Sequence, residues 1–214
     1  DLVGGDTSAS VNGLTISVTA TGDVDKDKIA YRSGAGANDL ICLSGDLGAA
    51  YMGLHLLERE KRACGGQPDP KPKFEGHEYI LGRQLKPEAR TDIIERLAEA
   101  GIVPTSMIDI TDGLASETLH LCKSSGCGAR IYLDRLPIAR QTHDMAEELH
   151  ADPVVAALNG GQDYELLFTV PLSKQQEIFA LGIDVIGHVT AAGTGAMLVT
   201  PDGSEIALKA PGWK

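Results

Sequence analysis

Hydrophobic and polar positions along this chain follow two periods, one typical of strands and one of helices. Residues 14–22 read Leu-Thr-Ile-Ser-Val-Thr-Ala-Thr-Gly, and this alternation predicts a strand with one buried face. The apolar positions between 47 and 57 recur every three or four residues, which predicts a helix that ends before Gly65 and Gly66. Residues 164–170 form a mostly apolar run that predicts a buried strand.

The same patterns predict the remaining elements. Further strands are predicted at 40–43, 106–110, 128–133, 185–189, 197–200 and 205–208, and further helices at 89–100, 113–125, 144–149, 154–158 and 173–181. The last two strands flank a Pro-Asp-Gly turn and form a predicted hairpin. Because some strands follow one another directly while others alternate with helices, we expect the α+β class with a mixed sheet.

The segment Ser106–Leu114 carries the clearest chemical signal. An apolar, β-branched strand pattern stops at an acid-hydroxyl-acid-glycine turn, and an amphipathic helix follows at once. Asp109 and Asp112 therefore lie where a strand ends and a helix begins, and carboxylates placed there can share a hard cation beside a helix N-terminus that favours phosphate. Capping of the helix is an equal alternative for Asp112. Capping does not account for Asp109, which interrupts an apolar strand.

Three other turns combine glycine with an acid or amide: Gly4–Thr7, Ser44–Asp46 and Gly160–Asp163. Glycine lets backbone N–H groups approach an anion, and the acids can bind metal. Each turn alone is a weak signal, because Ser44–Asp46 is also typical of a helix N-cap and Gly160–Asp163 of a tight turn. Arg32, beside a glycine-rich turn, is either a clamp for phosphate or an ordinary surface arginine.

The composition restricts the classes of partner. A formal net charge of −11 over 214 residues argues against a surface for nucleic acid or anionic membranes, and implies that phosphate binding needs a divalent cation. With 43% hydrophobic residues and no apolar run long enough to span a bilayer, the chain is predicted to be globular and water-soluble. The four cysteines lack zinc-site spacing, Cys42 and Cys122 fall in apolar patterns, and a reduced cytoplasmic setting is expected.

Five motifs occur in a fixed order along the chain. They are Leu2–Thr7 (LVGGDT), Tyr31–Ala35 (YRSGA), Ser44–Ala50 (SGDLGAA), Ser106–Leu114 (SMIDITDGL) and Gly160–Pro171 (GGQDYELLFTVP). Together, and over essentially the whole chain, they resemble the motifs of thiamine-monophosphate kinases. That family belongs to a superfamily with aminoimidazole ribonucleotide synthetase and selenophosphate synthetase.

The resemblance implies a fold and a division into domains. Residues 31–214 are expected to form a C-terminal domain of the aminoimidazole ribonucleotide synthetase-like type, with three α/β/α layers around a mixed sheet. Residues 1–30 are expected to be remnant strands of an N-terminal domain that binds ATP and metal and lies mostly upstream. The chain is therefore expected to be a fragment, weakly active or inactive alone, of a protein that is a homodimer at full length.

The resemblance also implies an activity, namely ATP-dependent phosphorylation of thiamine monophosphate to thiamine diphosphate by direct transfer assisted by Mg²⁺. Thiamine monophosphate and ATP are the implied partners, and neither nucleic acid nor a membrane is expected. By motif, the implied nucleotide contacts are Gly5, Asp6, Arg32 and Thr111. The implied catalytic residues are Asp109 and Asp112, which are also metal ligands together with Asp6. The implied contacts to the thiamine substrate are Gln162 and Trp213.

Two residues depart from the usual pattern of the family. Thr111 stands where Ser is usual and keeps the hydroxyl, whereas Gln162 stands where Glu is usual and lacks a carboxylate that could pair with the cationic substrate. Two other functions stay open: another ATP-using enzyme of the superfamily, such as an aminoimidazole ribonucleotide synthetase-like enzyme, and a non-catalytic interaction domain. The joint presence of Asp6, Asp109 and Asp112 argues against the interaction domain.

Overall fold

The computed structural model describes residue 5 and residues 13–66 and 71–210. Within them the chain forms one sheet of seven strands with helices on both faces. The strands are β1 (Leu40–Leu43), β2 (Ser106–Asp109), β3 (Gly128–Tyr132), β4 (Leu166–Val170), β5 (Asp184–Thr190), β6 (Ala196–Val199) and β7 (Glu205–Ala207). The α-helices are α1 (Ala49–Cys64), α2 (Glu78–Leu85), α3 (Thr91–Glu99), α4 (Leu114–Ser125), α5 (Arg140–Glu148), α6 (Pro153–Asn159) and α7 (Gln175–Ala180).

The strand order of the sheet is β2-β4-β1-β5-β3-β6-β7. Neighbouring strands are antiparallel except β3 and β6, which are parallel, so the sheet is mixed as the sequence predicts. At the β2 edge, Asp109 is opposite Leu166. The end of β2 therefore meets the start of β4, and the loops that adjoin these two strands lie side by side.

Alternate residues of β1 point into two different cores, which places helices on both faces of the sheet. Ile41 and Leu43 belong to the larger core, together with residues of α4 and α6. Leu40 and Cys42 belong to the second core, whose helical members come from α3 and α7. Burial of each such side chain contributes roughly 1.5–3 kcal/mol. The result is the three-layer α/β/α architecture that the resemblance implies.

A third core joins α1, α2, α5 and α6 on the same side of the sheet as α4. Gly53 of α1 allows α2 to approach closely, because a Cβ there would lie 2.5 Å from the carbonyl oxygen of Ile80 and 2.8 Å from the Cβ of Gln84. Of the residues of α2, Ile80 is the one that is fully buried. Helix α2 was not predicted, and it is only eight residues long.

The predicted strand at residues 14–22 is wrong for the described structure. These residues form no strand, and the apolar side chains of Leu14, Ile16 and Val18 are 90%, 75% and 85% exposed. An alternating pattern stabilises a strand only when a neighbouring strand supplies hydrogen bonds and a core covers its apolar face, and the described residues offer neither here. The other predicted strands and helices are confirmed, with shifts of a few residues at their ends. Across the described part of the chain, no helix is long and apolar enough to cross a membrane.

Candidate functional site

The loop of residues 109–113, here called the acidic loop, joins β2 to α4. Asp109 and Asp112 are both exposed, and Thr111 between them is half-buried. Gly113 occupies the N-cap position of α4, and no side chain caps that helix. The interpretation of Asp112 as a helix cap is therefore wrong. Among the described residues neither carboxylate accepts a hydrogen bond or forms an ion pair, so both are available for a ligand.

A second loop, residues 160–164, is here called the glycine loop and packs directly on the acidic loop. The backbone N–H of Gln162 donates to the carbonyl oxygen of Thr111 (2.8 Å), and its side-chain Nε2 donates to the same oxygen (3.3 Å). The backbone N–H of Tyr164 donates to the carbonyl of Ile110 (2.9 Å), and the Tyr164 hydroxyl donates to Gln162 Oε1 (2.8 Å). The structure thus brings together the predicted nucleotide contact Thr111 and the predicted substrate contact Gln162.

Two glycines allow close backbone contacts of the acidic loop, one with the glycine loop and one with the end of α6. A Cβ at Gly161 would collide with the Thr111 carbonyl oxygen and lie 3.0 Å from the Cα of Asp112. A Cβ at Gly113 would lie 2.6 Å from the Leu158 carbonyl oxygen. Both glycines also have positive φ values, +69° and +106°, which side chains rarely adopt. Residue 160 is a turn residue directly after α6, and Gly161 lets the backbone of the glycine loop approach that of the acidic loop.

Glu117, in the first turn of α4, forms a hydrogen bond with the backbone of the acidic loop. Its side chain is buried, with 2% relative exposure. Its Oε1 accepts a hydrogen bond from the backbone N–H of Asp112 (3.3 Å), and the Thr111 hydroxyl lies 3.5 Å from the same oxygen. Burial raises the pKa of this carboxyl. Its Oε2 is buried without a hydrogen-bond partner among the described residues.

The first turn of α1 is held by an acid from a distant part of the chain. Asp163 accepts hydrogen bonds from the backbone N–H of Gly48 (3.0 and 3.1 Å) and of Ala50 (3.4 Å). A carboxylate suits this position because the N-terminus of a helix carries partial positive charge. Burial nevertheless raises the pKa of Asp163 to about 7. The predicted capping by Ser44–Asp46 is wrong, because the N-cap residue is Gly48 and the side-chain acceptor is Asp163.

A buried ion cluster lies behind the glycine loop and was not predicted. The carboxylate of Glu165 binds the guanidinium groups of Arg83 and Arg90 and the hydroxyl of Ser44. Arg83 extends the contacts to the carbonyl oxygens of Asp46 (3.1 Å) and of Asp163 in the glycine loop (3.3 Å). The available signal was a charged residue, Glu165, at the start of an apolar strand, since such a charge needs a buried partner.

Two other predicted site residues, Arg32 and Gly5, are exposed. Arg32 is exposed, and its neighbour Tyr31 accepts a hydrogen bond from the backbone N–H of Met107 in β2 (2.8 Å), so Arg32 follows the outer edge of the strand that ends at Asp109. Gly5 is exposed and nothing lies within 4 Å of a Cβ built on it. The two remaining predicted residues, Asp6 and Trp213, lie outside the described residues.

The capacity of the site for a metal rests on two carboxylates. Within residues 13–66 and 71–210 no cluster of three His, Cys, Asp or Glu side chains is placed to hold an ion. Mg²⁺ keeps several waters and is usually bound through one or two carboxylates plus substrate phosphates, so Asp109 and Asp112 fit it without a complete protein cage. The exposed oxygens are hard ligands, which favours Mg²⁺ over softer metals.

The sequence of this chain is similar to one protein family and to several thiamine-monophosphate kinases. The sequence model of the family described as AIR synthase related protein, C-terminal domain, matches residues 36–200. The thiamine-monophosphate kinase of Bacillus subtilis strain 168 is 30% identical over 219 residues, and that of Escherichia coli strain K12 is 34% identical over 222 residues. Both matches cover 100% of this chain but only 63% and 62% of the relatives.

A solved structure described as AaThiL complexed with AMPPCP and TMP has the same fold. Its TM-score is 0.70 at 31% sequence identity, and the match covers 86% of this chain and 53% of that chain. Hydrogenase maturation protein HypE of Escherichia coli has a TM-score of 0.61 at 22% identity, which shows a common fold alone.

Proposed function

We propose that the complete protein phosphorylates thiamine monophosphate with ATP. The chain belongs to the family of AIR synthase related proteins, whose C-terminal domain its sequence matches. The product is thiamine diphosphate, and Mg²⁺ assists a direct transfer. The chain spans 62–63% of the length of its kinase relatives, so this activity is proposed for the complete protein. The chain by itself is proposed to turn over little or not at all.

One observation carries the proposal. The acidic loop and the glycine loop are joined by the hydrogen bonds of Gln162 to the Thr111 carbonyl (2.8 and 3.3 Å). Thr111, which is proposed for the nucleotide, and Gln162, which is proposed for the substrate, are therefore neighbours. Transfer of a phosphoryl group depends mainly on positioning two substrates in line and on neutralising charge, and two adjacent loops joined by hydrogen bonds suit the positioning.

The chain's own residues have distinct proposed roles. Asp109 and Asp112 would hold Mg²⁺, which when bound neutralises charge on the transferred phosphoryl group. The Thr111 hydroxyl and the N-terminus of α4 would bind phosphate oxygens, since that N-terminus has no side-chain cap and its first N–H groups favour anions. The exposed Arg32 would add a guanidinium contact to the ATP phosphates. Gln162 would hydrogen-bond the thiamine moiety.

The remaining predicted residues complete the proposed site. Gly5 and Asp6 are proposed to contact nucleotide and metal, and Trp213 is proposed to contact the thiamine substrate. The division into residues 1–30 and 31–214 stays a prediction, as do the homodimer and the cytoplasmic location. A match to the family that begins at residue 36 and a first strand that begins at Leu40 support the proposed division.

The proposal is tested by a kinase assay on the complete gene product. ATP, Mg²⁺ and thiamine monophosphate are supplied, and thiamine diphosphate is measured by chromatography. Asp112→Asn should lower the rate by about 100-fold or more, because it removes a carboxylate from the metal, and should leave stability unchanged since the side chain is exposed. Asp144→Asn, at an exposed acid on α5 (65% exposed), is the matched control. Absence of product in the wild type would refute the proposed activity.

A further inference from the structure

The buried ion cluster behind the glycine loop has no role in the proposed function so far. Glu165 directly precedes β4 and its side chain is 1% exposed. Its carboxylate accepts hydrogen bonds from Arg83 (2.8 Å), Arg90 and the Ser44 hydroxyl. A buried carboxylate is costly unless it is both paired and hydrogen-bonded. An apolar residue often fills such a place with no loss of stability, so stability alone does not account for these charges.

The cluster is connected to both loops of the proposed site. The carbonyl oxygen of Glu165 accepts a hydrogen bond from the backbone N–H of Ile110 in the acidic loop (2.8 Å). Arg83 binds the Glu165 carboxylate through one terminal nitrogen and the carbonyl of Asp163, in the glycine loop, through the other (3.3 Å). The guanidinium group of Arg83 therefore binds both the glycine loop and Glu165, and Glu165 is in turn hydrogen-bonded to the acidic loop.

The turn at Ser44 and Gly45 also contacts the cluster. The Ser44 hydroxyl accepts a hydrogen bond from the backbone N–H of Leu166 (2.7 Å) and donates to Glu165. There is no room for a side chain at Gly45, where a Cβ would lie 2.7 Å from the Glu165 carboxyl carbon and 2.8 Å from a terminal nitrogen of Arg90. This turn therefore packs against the cluster.

Of the two arginines, only Arg83 is bonded to the glycine loop within the described residues. The remaining hydrogen bonds of Arg90 go to the Ser44 carbonyl (2.8 Å) and to Asp92 (2.9 Å). Arg83 also reaches the carbonyl of Asp46 (3.1 Å), so it binds three acceptors at once. A planar guanidinium does this from two separate terminal nitrogens, whereas the ammonium of lysine has its three donors on a single nitrogen.

We infer that Arg83 is a positioning residue for the proposed reaction, because it sets the placement of the glycine loop against the acidic loop through Glu165 and Asp163. Its kinetic consequence rests on the proposed function, and its structural consequence does not. Loss of Arg83 should let the two loops separate, so that the Gln162 amide no longer keeps a fixed distance from the nucleotide site.

The test uses the complete protein with Arg83→Met, which keeps the apolar stem, and Arg83→Lys, which keeps the charge. The control is Arg59→Met on α1, where Arg59 pairs with Glu148 (2.7 Å) and Glu60 (3.0 Å) away from the loops. Hydrogen exchange is measured at three amides, those of Gln162 and Tyr164, which join the two loops, and that of Ile110, which joins the acidic loop to Glu165. Steady-state kinetics with thiamine monophosphate and ATP are measured on the same samples.

We expect Arg83→Met to raise exchange at all three amides by about 10-fold or more, Arg83→Lys to give a smaller increase, and Arg59→Met to give none. We expect kcat/KM for thiamine monophosphate to fall about 10- to 100-fold in Arg83→Met, since misplacement by about 1 Å has costs of this order. Arg83→Lys carries the test if Arg83→Met does not fold.

Two results would overturn the inference. One is unchanged exchange at these amides in a folded Arg83 variant, and the other is an equal loss of kcat/KM in Arg59→Met. The proposed function fails in a different way. If exchange rises as expected while the wild type makes no thiamine diphosphate, the positioning role of Arg83 is supported and the proposed activity is refuted.

Discussion

Replacement of Gly113 by alanine tests whether the acidic loop depends on its close packing against the end of α6. Gly113 has φ +106° and ψ 153°, a conformation almost confined to glycine. A Cβ there would lie 2.6 Å from the carbonyl oxygen of Leu158 and 2.8 Å from the Cα of Asn159. Both neighbours are backbone atoms, so the contact cannot be relieved by rotation of a side chain.

The expected cost has two sources. The unfavourable backbone conformation contributes about 1–3 kcal/mol, and overpacking contributes about 1–3 kcal/mol more. Ordinary van der Waals contact begins at 3.4 Å, so a contact of 2.6 Å requires the two backbones to separate by 0.8 Å. Gly113 adjoins Asp112 directly. A displacement of this size in the acidic loop should therefore lower kcat/KM of the complete enzyme about 10- to 100-fold.

The assay compares Gly113→Ala with Gly203→Ala. Gly203 also has a positive φ, +82°, but nothing lies within 4 Å of a Cβ built there, so it reports the cost of conformation without the collision. Urea denaturation should show a loss of about 2–6 kcal/mol at Gly113 and about 1–2 kcal/mol at Gly203. Activity should fall at Gly113 alone. Equal losses of stability in the two variants, or full activity in Gly113→Ala, would refute the reasoning.

Three further predictions concern single side chains. Gln162→Glu replaces the donor that faces the Thr111 carbonyl with a carboxylate oxygen, so stability should fall by about 1 kcal/mol while binding of the cationic thiamine substrate becomes tighter. Unchanged or weaker binding in calorimetric titration of the complete protein would count against the role of Gln162. Burial raises the pKa of Asp163 to about 7, whereas the unfolded carboxyl titrates near roughly pH 4. The folded state therefore keeps a proton that the unfolded state releases, and this contribution to stability decreases as the pH rises from 4 to 7. The free energy of unfolding of the wild type, measured relative to that of Asp163→Asn by urea denaturation, should thus be larger at pH 5 than at pH 8. A difference between the two proteins that does not change with pH would contradict the raised pKa of Asp163. Asp152 caps α6 by accepting from the backbone N–H of Val154 (2.8 Å), so Asp152→Ala should cost about 1 kcal/mol and Asp152→Asn much less. A neutral Asp152→Ala in thermal or urea denaturation would show that the cap is dispensable.

Sequence patterns predicted the elements whose signal is carried by contiguous residues. The buried strand β4, the long helix α1 and the strand-turn-helix around Asp109 and Asp112 all have a clear period and clear ends. Helix α2 has only eight residues and buries mainly Ile80 against α1. Its stability comes from a neighbour that local patterns do not reveal.

The alternation of residues 14–22 shows the opposite case. Here the pattern is strong, yet the described residues supply no neighbouring strand, and Leu14 is 90% exposed. An apolar residue at every second position indicates which side chains would share one face of a strand. The hydrogen bonds of that strand must still come from another segment of the chain. A correct pattern therefore does not by itself produce a strand.

For the candidate site, the sequence by itself determined the chemistry of the acidic loop and, through the five motifs, the family that the comparisons bear out. The tertiary structure decided which loop that chemistry faces, that Asp163 caps α1 across 115 positions of the chain, and that Arg83 pairs with Glu165 across 82. Local turn chemistry and periodicity are properties of neighbouring residues, and a reader of the sequence can recognise them. Partners of buried charges are chosen by the packing of the whole chain, because only the folded arrangement brings residues this far apart within hydrogen-bonding distance.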